Sequence, residues 1–156
     1  MKIQLWAIGK DHEPYISAGV DEFTNRIANY YPIEWNIIPT AKNARLLPEP
    51  ALKRKEAESV IRLLKKEDCL VVLDEKGSTF SSRELASFIE GRANSGIRSL
   101  TFLIGGAFGL DKMVIERAQY IWSLSSLTFP HQLVRLILAE QLYRACSIIR
   151  NEKYHH

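Results

Sequence analysis

The sequence predicts one α/β domain over residues 1–156, a mostly parallel sheet with helices on both faces. Three observations lead there. Short apolar runs alternate with longer amphipathic ones, the pattern of repeated strand–helix units. Two runs, "CLVVLD" (69–74) and "LTFLIGG" (100–106), are apolar without a break, as strands covered on both sides are. No internal repeat, low-complexity tract or linker divides the 156 residues, a length that buries roughly 68–70% of the unfolded surface.

Taken in order, "KIQLWAIG" (2–9) reads as the first strand and residues 11–29 as an amphipathic helix. "IEWNIIP" (33–39) is the second strand. A loop with two prolines, "TAKNARLLPEP" (40–50), leads into the basic helix "ALKRKEAESVIRLLKKE" (51–67). The third strand is 69–74. "SSRELASFIEGRA" opens with a capping box, in which Ser81 caps the amide of Glu84 and Glu84 reaches back. The fourth strand is 100–106, and Asp111 starts a short helix. "YIWSLSS" (120–126) is the last strand, and Pro130 starts the final helix, where its missing N–H costs nothing.

Composition narrows the class. Hydrophobic content of 46% and charged content of 25% are those of an ordinary globular protein. "MKIQLWAIGKD" is too short an apolar run for a signal peptide, and no stretch approaches the ~20 apolar residues of a membrane span, so a cytoplasmic location is expected. Cys69 and Cys146 sit in separate apolar segments and read as buried free thiols. There is no CxxC, HExxH or Cys/His cluster, so no metal is expected.

The net charge of +3 is unevenly spread. Residues 1–40 carry three Lys/Arg against five Asp/Glu, residues 41–66 eight against three, and the remainder ten of each. All the excess lies in 41–66. That segment fits either a solvated helix face or a surface that contacts phosphates.

Ligands of parallel sheets bind at the carboxyl ends of the strands. Three late strands end in "LDEKGST" (73–79), "IGGAFGLD" (104–111) and "LSSLTFP" (124–130), all rich in Gly, Ser or Thr. "GGAFG" is not GxGxxG, and GxxxxGK[ST] is absent, which excludes a P-loop and argues against a nucleotide hydrolase.

In the last helix, His131, Arg135, Leu138 and Leu142 share one face, with Glu140, Arg144, Ser147 and Asn151 opposite. Apolar residues around the rest of the girth predict a helix sandwiched between its own sheet and a partner, most simply a twofold copy. A buried guanidinium needs a carboxylate, carbonyls or a ligand. Arg135 is therefore either a structural ion pair at a dimer interface or a group that orients substrate. His131 is either a base or a hydrogen-bonded structural residue. The tail "RNEKYHH" reads either as a tag remnant or as an aromatic and imidazoles that meet an RNA base.

"LDEKG", "LIGGxxGL" and "SLSSLTFPHQLVRLILAEQLYRA…YHH" closely resemble the RlmH family over essentially the whole chain. These are SPOUT-class methyltransferases that modify N3 of a pseudouridine in large-subunit (23S) ribosomal RNA. The resemblance implies a deep C-terminal trefoil knot, an exception to the rule against knots. It implies S-adenosylmethionine as cofactor, held by Leu73, Gly105, Leu124, Ser125, Ser126, Leu127, Thr128 and Phe129. It also implies a homodimer packed through the last helix, each site bordered by the other subunit, that acts on assembled ribosomes. His131, Arg135, Tyr154 and His155 are the catalytic candidates, and Asp74 is a further candidate base. The chain departs from the family at Phe108, where a small, polar or acidic residue is expected, and at His156, often Arg or Lys. A catalytically silent ribosome-binding module and an enzyme acting on tRNA are the competing readings.

Overall fold

The structure, a computed structural model, describes residues 1–155; the terminal His156 lies outside the described residues. Five strands and five helices alternate: β1 (Lys2–Ile8), α1 (Pro14–Ile27), β2 (Ile33–Ile38), α2 (Glu49–Leu63), β3 (Cys69–Thr79), α3 (Ser82–Asn94), β4 (Ser99–Ile104), α4 (Lys112–Arg117), β5 (Tyr120–Ser123) and α5 (His131–Ile149). Short 3-10 turns add Ala44–Leu46 and Lys153–His155. The strands are all parallel, in the order β2-β1-β4-β3-β5.

Side-chain alternation splits the core in two. Ile3, Leu5, Val71, Leu100 and Phe102 join Ile27 of α1, Leu85 and Ile89 of α3, and Leu138 and Leu142 of α5. Trp6, Ile8, Leu70, Val72 and Leu103 join Ala57 and Val60 of α2 and Val114 of α4. Helices therefore cover both faces. Every residue of β4 is buried, which explains its unbroken apolar run.

Several boundaries differ from expectation for local reasons. α1 begins at Pro14, whose fixed φ suits a first turn, rather than at residue 11. α2 runs from 49 to 63 rather than 51 to 67. Leu64 is extended, and the Asp68 carboxylate accepts the Lys65 N–H at 2.8 Å to form a turn. β3 does not end at Asp74. Its register against β5 jumps so that both Leu73 and Ser78 face Trp122, and residues 74–77 bulge out between them. β5 stops at Ser123, three residues early, because the Ser123 hydroxyl donates to the Ser125 carbonyl at 3.0 Å and turns the chain. The capping box at Ser81 and Glu84 is present, with bonds of 3.2 and 2.7 Å.

Much of the apolar girth of α5 is met within its own chain. Its own chain covers it on three sides: the sheet below, α1 along one flank and α3 along the other. Leu136 lies against Gly19 of α1, and the Ser82 hydroxyl of α3 donates to Gln141 at 2.7 Å. Ser147, expected on the polar face, is fully buried and donates to the Arg144 carbonyl at 2.7 Å. The stripe opposite Arg135 holds Leu133, Ile137, Glu140, Arg144 and Ile148, all half-buried.

Candidate cofactor and substrate cleft

The carboxyl ends of β3, β4 and β5 open into one cleft of about 530 Å³, within the range of small-molecule sites. The β3 bulge supplies Leu73, Asp74, Glu75 and Lys76. The glycine turn after β4 supplies Ile104 through Leu110, and the β5 loop Leu124, Ser125, Leu127, Thr128 and Phe129. Seven of the eight cofactor candidates therefore line a single cavity. Ser126 does not line it and is exposed.

Each loop is shaped by its own sequence. In the bulge, the Asp74 carboxylate accepts the Lys76 N–H at 2.9 Å. Gly77 is pressed against β5, and a Cβ there would lie 2.6 Å from the Ile121 carbonyl carbon and oxygen. In the glycine turn, the Gly109 N–H donates to the Gly106 carbonyl at 3.1 Å, and Gly109 has φ +81°, which suits glycine. Leu110 folds back over Gly105, 3.0 Å from where a Cβ would sit. In the third loop, the Leu127 N–H donates to the Ser125 hydroxyl at 3.0 Å. These internal bonds leave the loops preformed.

Two residues were not placed at the cleft from the sequence. Lys53 of α2, read there as part of a basic segment that could contact RNA, reaches the lining, so that segment and the cleft meet. Behind the glycine turn lies Glu56 of α2, 7% exposed, which accepts the Thr40 hydroxyl at 2.8 Å. A Cβ on Gly106 would come within 2.7 Å of its carboxylate. The signal was legible: Glu56 stands between Leu52 and Val60 at i, i+4 and i+8, a carboxylate inside an apolar stripe.

The four catalytic candidates fall in three places. His131, first residue of α5, lines the cleft and is exposed. Arg135, 2% exposed, does not line it; its guanidinium donates to the Lys10 carbonyl at 2.8 Å and lies 3.3 Å from His12 Nδ1. Gln132 adds bonds to the Glu13 N–H and the Asp11 carbonyl. The start of α5 is thus riveted to residues 10–13 by polar groups of its first two turns. Desolvation lowers the Arg135 pKa, opposed by Asp11 and Glu13. Burial, then the Arg135 charge, lowers that of His12, whose ring meets Trp35 edge-on at 4.8 Å. No carboxylate pairs with Arg135 among the described residues, so within the chain it is bound by a carbonyl and an imidazole rather than an ion pair.

Tyr154 sits at the far end of α5. Its ring packs on Tyr143 at 4.6 Å and beneath Arg144 at 4.8 Å, and its hydroxyl donates to Glu140 at 3.1 Å. Burial, followed by Glu140, raises its pKa. Glu140 lies six residues beyond Val134 of the cleft, roughly 9 Å along the helix at ~1.5 Å per residue. Docked this way, neither Tyr154 nor its neighbour His155 lines the cleft of its own chain. Among the described residues, no group of His, Cys, Asp and Glu could hold a metal, and no helix is long and apolar enough to cross a membrane.

Comparison with known proteins adds a second line. A family model described as "Predicted SPOUT methyltransferase" matches residues 1–155. The chain is 45% identical over 156 residues to a Cytophaga hutchinsonii protein named ribosomal RNA large subunit methyltransferase H, covering 100% of both chains. Proteins of the same name from Parabacteroides distasonis (41% over 156 residues, 100% of this chain and 99% of the relative) and Acetivibrio thermocellus (44% over 158 residues, 99% of each) are also similar.

Proposed function

Because the chain belongs to the SPOUT methyltransferase family, we propose that it methylates N3 of a pseudouridine in large-subunit (23S) ribosomal RNA, in the cytoplasm, on the assembled ribosome. The observation that carries this reading is the convergence of three strand-end loops on one cleft with seven of the eight cofactor candidates in its wall. S-adenosylmethionine fits that wall. Leu73, Ile104 and Leu110 offer apolar surface, and Gly105 and Gly106 let backbone approach a ligand without side chains in the way. Leu124, Ser125, Leu127, Thr128 and Phe129 form a preformed third side. Membership implies a deep C-terminal trefoil knot, with which β4 and β5 lying on opposite sides of β3 is compatible.

The cofactor, when bound, supplies an electrophilic methyl group. The protein's own work is then to present the acceptor nitrogen and to take its proton. N3 of pseudouridine is a weakly acidic imide N–H, nucleophilic once that proton leaves. Within the cleft, His131 and Asp74 are the candidate acceptors, and the Lys76 N–H holds the Asp74 carboxylate in place. Arg135 is a positioning residue, since it secures the start of α5 and with it His131 and Val134. A second copy packed on the outer stripe of α5 would add Tyr154 and His155 to its partner's cleft. Leu133 and Ile137 support such a dimer, because they belong to neither apolar cluster of the chain.

The test is titration with S-adenosylhomocysteine followed by labelled-methyl transfer to ribosomes from cells without the enzyme. A saturable heat and one methyl group per large subunit, mapped by mass spectrometry to N3 of a pseudouridine, are expected. Cofactor binding without transfer would leave a silent ribosome-binding module, and transfer to tRNA instead would redirect the substrate. Gly105→Trp should abolish the heat.

A further inference from the structure

Phe108 occupies the tip of the Gly106–Gly109 turn with 51% of its surface exposed, at a place where a tight turn ordinarily carries a polar residue. The tip is presented rigidly. The Gly109 to Gly106 bond closes the turn, the Glu56 carboxylate lies close behind Gly106, and Leu110 packs against Gly105. A second exposed apolar side chain, Leu127 at 69%, lines the same cleft from the β5 loop. Beside them in the lining are Lys53 and Lys76, neither of which makes an ion pair in the described chain. By contrast, Arg54 is held by Glu58 and Asp111, both at 3.8 Å.

We propose that Phe108 is a stacking platform for an unstacked nucleobase of the RNA substrate, with Lys53 and Lys76 meeting the adjoining phosphates. The chemistry of the cleft selects that occupant. A flat, rigid aromatic face beside unpaired cations matches a ligand with a π-face and a neighbouring anion, which is how proteins hold single-stranded bases. An apolar protein partner would call for a contiguous greasy patch, whereas Phe108 and Leu127 stand among Lys53, Asp74, Glu75, Lys76 and His131. The adenosyl group has apolar surface of its own at Leu73, Ile104 and Leu110. A turn closed before binding loses little backbone entropy when a base settles on its tip. The proposal rests on the ribosomal RNA reading above and adds a specificity-determining contact that composition alone leaves unassigned.

The experiment compares Phe108→Ala, Phe108→Leu and Phe108→Trp with the parent protein by two readouts. One is co-sedimentation with ribosomes lacking the modification, in the presence of S-adenosylhomocysteine. The other is the heat of S-adenosylhomocysteine binding. Alanine and leucine should each weaken ribosome binding about tenfold or more while tryptophan restores it, because stacking needs a flat face rather than bulk. Cofactor heat should be unchanged in all three. Unaltered ribosome binding by the alanine variant, or full rescue by leucine, overturns the proposal. So does a parallel loss of cofactor affinity, which would place Phe108 over the cofactor instead. Because sedimentation does not require turnover, a parent that binds ribosomes but transfers no methyl group would sink the enzymatic reading and leave stacking intact. A parent that binds no ribosomes would sink both.

Discussion

Arg135 and Glu56 are charged side chains in apolar helix stripes, and each is held by polar groups next to the cleft. Arg135 ties the start of α5 to Lys10 and His12, and Glu56 accepts the Thr40 hydroxyl behind Gly106. Replacing Arg135 with Met keeps the apolar stem but removes the donor to the Lys10 carbonyl. Loss of about 1.5–3 kcal/mol is expected for a hydrogen bond to a charged donor, read as a lower denaturant midpoint with unchanged slope. Arg135→Lys should fall between, since an ammonium cannot reproduce the planar fork. His12 gives the same cluster a pH signature. Its pKa in the fold lies below the usual ~6.5, so the unfolded chain binds more protons as pH falls through that value. Stability is therefore complete above pH ~6.5 and declines as pH drops toward the folded pKa. A denaturant midpoint that falls between pH 7 and 5 in the parent, and falls less in His12→Gln, is the expected result. Equal slopes in both would assign the titration to another group.

At the level of elements, the glycines that matter are set by what a methyl group would strike. A Cβ on Gly77 would come within 2.6 and 2.7 Å of the backbone of Ile121 and Trp122, and backbone in a parallel ladder cannot step aside. Gly77→Ala should cost about 1–3 kcal/mol as an overpacking change and abolish cofactor heat by displacing the β3 bulge. Gly91, inside α3, has nothing within 4 Å, so Gly91→Ala should add about 0.5–1 kcal/mol and leave binding alone. Opposite signs from one chemical change would be visible in paired thermal melts. The same contrast explains what was legible in the sequence. Order and type of every strand and helix could be read, because apolar periodicity and caps such as Ser81 are local signals. The β3 bulge could not, since "LDEKGST" carries turn residues and leaves the sheet only to re-pair with the same Trp122. Gly105 and the third loop were found through their glycines and serines, whereas Lys53 was read as part of the basic segment but not placed at the cleft, because only tertiary packing brings α2 there.

For the whole molecule, the question is what the outer stripe of α5 does. The sequence suggested a helix greasy on all sides and assigned one side to a partner, but α1 and α3 account for much of that surface. What is left is narrow: Leu133 and Ile137 at one end, Glu140 and Arg144 in the middle, joined by bonds of 3.0 and 2.6 Å. A self-complementary interface of this kind places the same stripe on both copies, so one introduced charge is repeated across the twofold axis. Ile137→Glu should then convert a dimer to a monomer in sedimentation at micromolar concentration, while circular dichroism remains that of the parent because the position lies outside both cores. Methyl transfer should be lost with dimerisation, since Tyr154 and His155 are docked away from their own cleft. Full activity of monomeric Ile137→Glu would instead confine the whole reaction to one chain and require the tail to undock from Glu140.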